Sequence, residues 1–179
     1  MDVFSHALWG RLLTRNRIHP WIAMTMAVLP DLVAFVPQTI WNISKGKWRE
    51  DVDDESVTSD MPVAWEVYQW SHSLFIVVVL FFSAYVFLRY KKQHPNPAQL
   101  AWMFVLPWFF HILLDIPGHT IRFFPTPFLH PFSDWMVDGV RWSTWWFFIP
   151  QVLVLAGCWW YVKRNDHNID AMAETAARA

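Results

Sequence analysis

Residues 99–114 read QLAWMFVLPWFFHILL and end against Asp115. No Asp, Glu, Lys or Arg stands between Lys92 and Asp115, between Glu66 and Arg89, or between Arg141 and Lys163. Each charge-free stretch reaches the length of about twenty residues that the hydrocarbon core of a bilayer requires. The other two have the cores LFIVVVLFFSAYVFL (74–88) and STWWFFIPQVLVLAGCWWYV (143–162). Three spanning helices are expected, two of them carrying an internal proline, Pro107 and Pro150, which packed neighbours tolerate.

Composition agrees with a membrane setting. Of 179 residues 55% are hydrophobic and only 16% charged, against roughly 25% charged in ordinary soluble domains. The 14 tryptophans suit the two bilayer faces, where amphipathic rings settle. A net charge of −1 argues against a nucleic-acid partner held by backbone electrostatics. The single cysteine, Cys158, lies in an apolar run and has no partner for an intrachain disulfide. The first residues lack the basic region of a signal peptide, so the mature chain is expected to begin at or near Met1.

The N-terminal part reads differently. Residues 2–15 form one apolar helical arm, Asn16 to Pro20 a break, and Trp21 to Leu29 a second arm ending at Pro30-Asp31. Each arm is too short to span, so residues 2–31 are expected as a helical hairpin packed on the spans or dipping into the membrane. Segment 42–66 reads as a polar loop, 116–141 as irregular, and 166–179 as a polar, Ala-rich tail. The expected whole is an all-α integral membrane bundle, with residues 1–165 as one domain and about three full spans beside the hairpin.

Charge sets the ends. An alternating path gathers Arg11, Arg15, Arg17, Arg89, Lys91, Lys92, Lys163 and Arg164 at one end, which the positive-inside rule makes cytoplasmic. His6, Asp31, His72, His111, Asp115 and His119 then meet at the opposite end. His111 and Asp115 are four apart and share one helix face. Ionisable groups at membrane depth are costly unless paired or coordinating, and His with Asp is the donor set of a divalent metal, zinc first. One or two ions are expected, with Asp31 or Asp115 bridging or taking a proton from water, and Arg122 pairing with an anionic oxygen. Arg141 is a weaker candidate for that task. His130 and Asp134 lie at the same end, in a Pro-rich stretch better suited to walling a substrate. His19, His94 and His167 fall at the basic end or in the tail and are set aside.

The set His6, Leu29-Pro30-Asp31, His72-Ser73-Leu74 and His111-x-x-Leu114-Asp115, with the Pro-rich stretch 125–135, resembles the bacterial membrane-bound metal-dependent hydrolases over roughly residues 1–142. More remotely it is similar to zinc-dependent phospholipase C, where His119 and His130 echo later ligands. The resemblance implies an inner-membrane protein whose metal-activated water attacks an ester or phosphoester, with membrane lipid or a lipid ester as partner. The residues alone leave open a non-catalytic metal site for sensing, transport or structure, and a metal-free scaffold.

Overall fold

A computed structural model describes residues 2–15, 17–47, 56–91 and 95–177 of the chain, with side chains as far as residue 166. Six α-helices account for most of them: α1 (Val3–Leu13), α2 (Pro20–Ser44), α3 (Pro62–Ser71), α4 (Leu74–Lys91), α5 (Pro97–Asp115) and α6 (Trp145–Ala177). No strand occurs among the described residues. The expected charges Arg49, Glu50, Asp51, Asp53, Asp54, Glu55 and Lys92, with Asn16 and His94, lie outside the described residues.

Local chemistry starts each helix. Asp2 caps α1 by accepting from the Ser5 N–H, and Asn96 caps α5 by accepting from the Gln99 N–H; each satisfies a donor that the first turn leaves unpaired. Pro20, Pro62 and Pro97 occupy first helical positions, where a missing N–H costs nothing. The side chain of Gln38 in α2 accepts from the Ala64 N–H in the first turn of α3 and donates to Asn42. One buried amide thus joins two helices.

Four helices, α2, α4, α5 and the first part of α6 (Trp145–Asp166), are long and apolar enough to cross a membrane. The chain is a helical membrane bundle. In α4 only Val77 and Leu88 are buried, while Val78, Val79, Phe82, Val86 and Phe87 are exposed. A helix apolar on every side belongs in lipid.

The N-terminal arm differs from the expected hairpin in one respect. The second arm does not stop at Pro30-Asp31 but continues through Pro30 and Pro37 to Ser44, making a fourth candidate span of 25 residues. Proline ends a helix in water by removing an N–H and crowding the preceding turn. Inside a bundle the neighbours satisfy the carbonyls it displaces, and Pro30 is buried against such neighbours. Asp31 therefore sits about midway along α2, roughly 17 Å from its start at 1.5 Å per residue.

The chain divides into a compact unit, residues 1–142, and a second, residues 143–179, which consists chiefly of α6. Within the first unit α1, α2, α4 and α5 pack together, and α3 packs on α2. Two apolar clusters result. Val77, Val105, Trp108 and Ile112 form one between α4 and α5, with Met26 and Leu29 of α2 against it. Ala34, Met61, Ala64, Tyr68 and Phe124 form the other, joining the later half of α2 to α3 and the 116–142 segment. Asp31, between Leu29 and Ala34, lies at the seam of the two.

Small residues let α1 approach this closely. A Cβ on Gly10 would lie 2.5 Å from the Ala27 Cβ and 2.8 Å from the Ala23 carbonyl oxygen. Gly10 is one turn from His6, so the same close contact that seats Gly10 carries His6 inward.

Candidate metal centre

His72 and Ser73 form the short break between α3 and α4. The fully buried His72 caps the end of α3, and Ser73 donates to the His130 carbonyl while accepting from the Phe75 N–H. Trp108 of α5 donates its indole N–H to the Ser71 carbonyl at 2.8 Å, which fixes the break against α5. His111 and Asp115, both buried, occupy successive turns at the end of α5. The break, the end of α5 and the middle of α2 thus bring four ligand-type side chains to one point.

Their geometry is specific. His72 Nε2 lies 3.0 Å from His111 Nε2 and 3.5 Å from both Asp31 Oδ1 and Asp115 Oδ2. His111 Nε2 lies 3.6 Å from Asp31 Oδ1 and 3.2 Å from Asp115 Oδ2. All four residues offer a ligand atom within 4.8 Å of every other. Zinc bonds to nitrogen and oxygen run about 2.0–2.2 Å, so the corners of a tetrahedral site stand about 3.3–3.6 Å apart. The measured separations are close to those edges. A buried Asp/His quartet with room for one ion at its centre is therefore present.

The far sides of both rings are tied down. His111 Nδ1 is 2.7 Å from the Ala27 carbonyl. A carbonyl only accepts, so Nδ1 carries the proton, and in the neutral ring Nε2 presents its lone pair to the quartet. His72 Nδ1 is 2.9 Å from Ser71 Oγ, whose hydroxyl donates to the Tyr68 carbonyl. Nδ1–H of His72 then donates to Ser71, and its Nε2 lone pair also faces inward. Two lone pairs and two carboxylates converging on one point repel one another, and a divalent cation reverses the sign of every term. Ring nitrogens anchored in this way to a carbonyl or hydroxyl are the usual support of metal-binding histidines.

Two further sequence candidates meet Asp115. His6 Nε2 lies 3.1 Å from Asp115 Oδ1, and its ring stacks on that of His111 with centroids 3.7 Å apart. Burial, and after it the neighbouring His111, push the His6 pKa down to about 4. A neutral His6 donates Nε2–H to the carboxylate and orients it. His119 Nε2 lies 3.6 Å from Asp115 Oδ2, in a side chain 12% exposed, on the more open side of the site.

The remaining candidates make other contacts. Arg122 is exposed, and its carbonyl accepts from the Thr58 N–H. The Arg141 guanidinium lies over the Phe123 ring, 5.5 Å from its centroid. His130 packs edge-on against Trp70, and Asp134 is exposed. His19 is exposed at the start of α2. Tyr68, stacked on His72 with centroids 3.6 Å apart and 18° between planes, was not among the sequence candidates. Its only sequence signal is a place four residues before His72, which puts both on one helical face.

Fold and site together define a class: a helical membrane bundle with a buried, ligand-competent His/Asp quartet. Comparison with protein-family models, with curated proteins and with solved structures finds no match to this chain.

Proposed function

We propose that the chain is a membrane-bound metal-dependent hydrolase acting on an ester or phosphoester at the membrane surface. The observation that carries the reading is the near-tetrahedral quartet with both histidines anchored through Nδ1. Two nitrogens and two carboxylate oxygens in that arrangement fit zinc best. A bound zinc would polarise a substrate oxygen and lower the pKa of a water to about 7.

The chain's own residues divide the remaining work. His72, His111 and Asp115 are fully buried, whereas Asp31 is 14% exposed. His72, His111 and Asp115 would hold a catalytic zinc, which takes three protein ligands and leaves a position for water. Asp31, the one partly exposed member of the quartet, then takes the proton of the attacking water. His6 holds Asp115 in place, and His119 borders the approach. Water adds to the ester phosphorus or carbon, the ester oxygen departs, and its proton comes from the carboxyl of Asp31.

An amphiphilic substrate is supported by a second feature. A groove of about 430 Å³ runs along the first turns of α4, lined by Leu74, Phe75, Val78, Phe128 and Phe132. It starts two residues from His72 and opens on a membrane-spanning helix, where an acyl chain would lie. The basic ends of α1 and α4, and Lys163 and Arg164 late in the apolar part of α6, support a cytoplasmic location for those residues, with the site on the other face of a bacterial inner membrane.

The test is turnover of bis(p-nitrophenyl) phosphate and of phospholipid vesicles by zinc-loaded protein, with and without chelator, and by Asp31→Asn. Chelator should abolish turnover, and Asp31→Asn should lower it about 10²–10⁴-fold while retaining zinc. Full activity in chelator would refute the reading. Bound zinc with no turnover on any ester would favour a second reading, a closed structural site using all four corners, for which the near-complete tetrahedron itself speaks. Transport is less favoured, since the ionisable residues collect at one level of the bundle rather than along it.

A further inference from the structure

Beside the quartet stand two buried hydroxyls to which the preceding reading gives no task. Tyr68 is fully buried, with its ring flat on His72 and 6.1 Å from that of His119. Thr126, from the 116–142 segment, is 2% exposed. The two hydroxyls lie within weak hydrogen-bonding reach of each other, yet neither has a partner of normal geometry among the described residues. Buried hydroxyls are ordinarily paired, because an unpaired one loses its water without recompense. Two adjacent exceptions against a metal centre call for a ligand with oxygen atoms.

Both groups are held firmly. Phe35, Trp65 and Phe124 pack around the Tyr68 ring. Thr126 lies between Pro125 and Pro127, whose rings restrict the backbone on either side. A phenol carries its proton at neutral pH, so Tyr68 can donate a hydrogen bond there. Preorganised donors beside a cation are what stabilises charge developing on an oxyanion. A carboxylic ester develops that charge on one oxygen, which a cation alone can take. A phosphate ester carries it on two or three, leaving oxygens for the two hydroxyls.

We propose that the Tyr68 and Thr126 hydroxyls form an anion-binding wall of the quartet site, donating hydrogen bonds to the non-bridging oxygens of a phosphate ester. The proposal rests on the metal-hydrolase reading and narrows its substrate class. Neither residue stands out in the sequence, where a tyrosine and a threonine in apolar surroundings read as packing.

The experiment titrates inorganic phosphate into zinc-loaded protein in detergent by calorimetry, for wild type, Tyr68→Phe and Thr126→Val, with zinc content and thermal midpoint measured on the same samples. Wild type should bind phosphate, and each variant should bind it about tenfold or more weakly, the usual effect of losing a charge-assisted hydrogen bond. Zinc content should be equal in all three, and Tyr68→Phe should melt no lower than wild type, because only an unpaired hydroxyl is removed. Equal phosphate affinity in both variants overturns the proposal. Zinc-loaded wild type that fails to bind phosphate also overturns it, while leaving hydrolysis of carboxylic esters standing. Wild type that holds no zinc overturns both readings, and the metal content reports that separately from the titration.

Discussion

Replacing Gly10 by alanine tests how α1 delivers His6 to the site. The new methyl would stand 2.5 Å from the Ala27 Cβ, 2.8 Å from the Ala23 carbonyl oxygen and 3.2 Å from the Pro107 Cβ. Carbon atoms rest about 3.5–4.0 Å apart, so α1 must retreat by about 1 Å. His6, one turn away on the same face, then leaves hydrogen-bond range of Asp115, from which it now lies 3.1 Å. Overpacking costs about 1–3 kcal/mol, and alanine returns up to about 1 kcal/mol in helix propensity. The expected net loss is about 1–2 kcal/mol, read as a lower midpoint in denaturant titration of the detergent-solubilised protein. Zinc affinity should fall with it. Adding Ala27→Gly removes the 2.5 Å contact but not the Ala23 carbonyl, so recovery should be partial. A Gly10→Ala protein as stable as wild type, with unchanged zinc affinity, would refute the close packing of α1 on α2 and the route by which it places His6.

Other expectations follow from the same contacts. Ser71→Ala removes the partner of His72 Nδ1 and should weaken zinc binding about 10–100-fold, measured by competition with a chromophoric chelator, with little change in helix content. His6→Ala should cost a similar factor, far less than His111→Ala, because His6 orients Asp115 rather than standing at a corner; equal losses would make His6 a ligand. Reporter fusions at Gly46 and after Lys91 should report opposite sides of the membrane, since α4 separates them, and a shared side would overturn the path.

The spanning helices were legible in the sequence because charge is what lipid excludes, and three charge gaps mark α4, α5 and the apolar part of α6. The continuation of α2 was not legible. Pro30 carries the same signal whether the chain stops in water or continues among packed neighbours, and only the neighbours decide. Helix α3 was not legible as a separate helix: its first half falls in the stretch 42–66 that reads as polar loop, and its second half, with buried Tyr68 and Ser71, in the charge gap that leads into α4. That the six His and Asp candidates meet could be expected from the charge pattern, although Asp31 reaches the site from the middle of α2 rather than from a helix end. Their division into a quartet, with His6 and His119 against Asp115, needed atomic distances. The task proposed for Tyr68 was invisible for a related reason: a tyrosine that only packs and one whose buried hydroxyl lacks a partner share one letter.

The central claim is that the quartet is a site for one divalent ion, held by His72, His111 and Asp115 with Asp31 beside it, and metal analysis of the purified protein tests it most directly. Zinc-replete wild type, washed free of loose ions, should retain about one zinc per chain, and His111→Ala and Asp115→Asn should retain almost none while keeping wild-type helix content. If wild type retains none, the four side chains instead hold themselves together as an imidazolium between two carboxylates, and the account of the site fails.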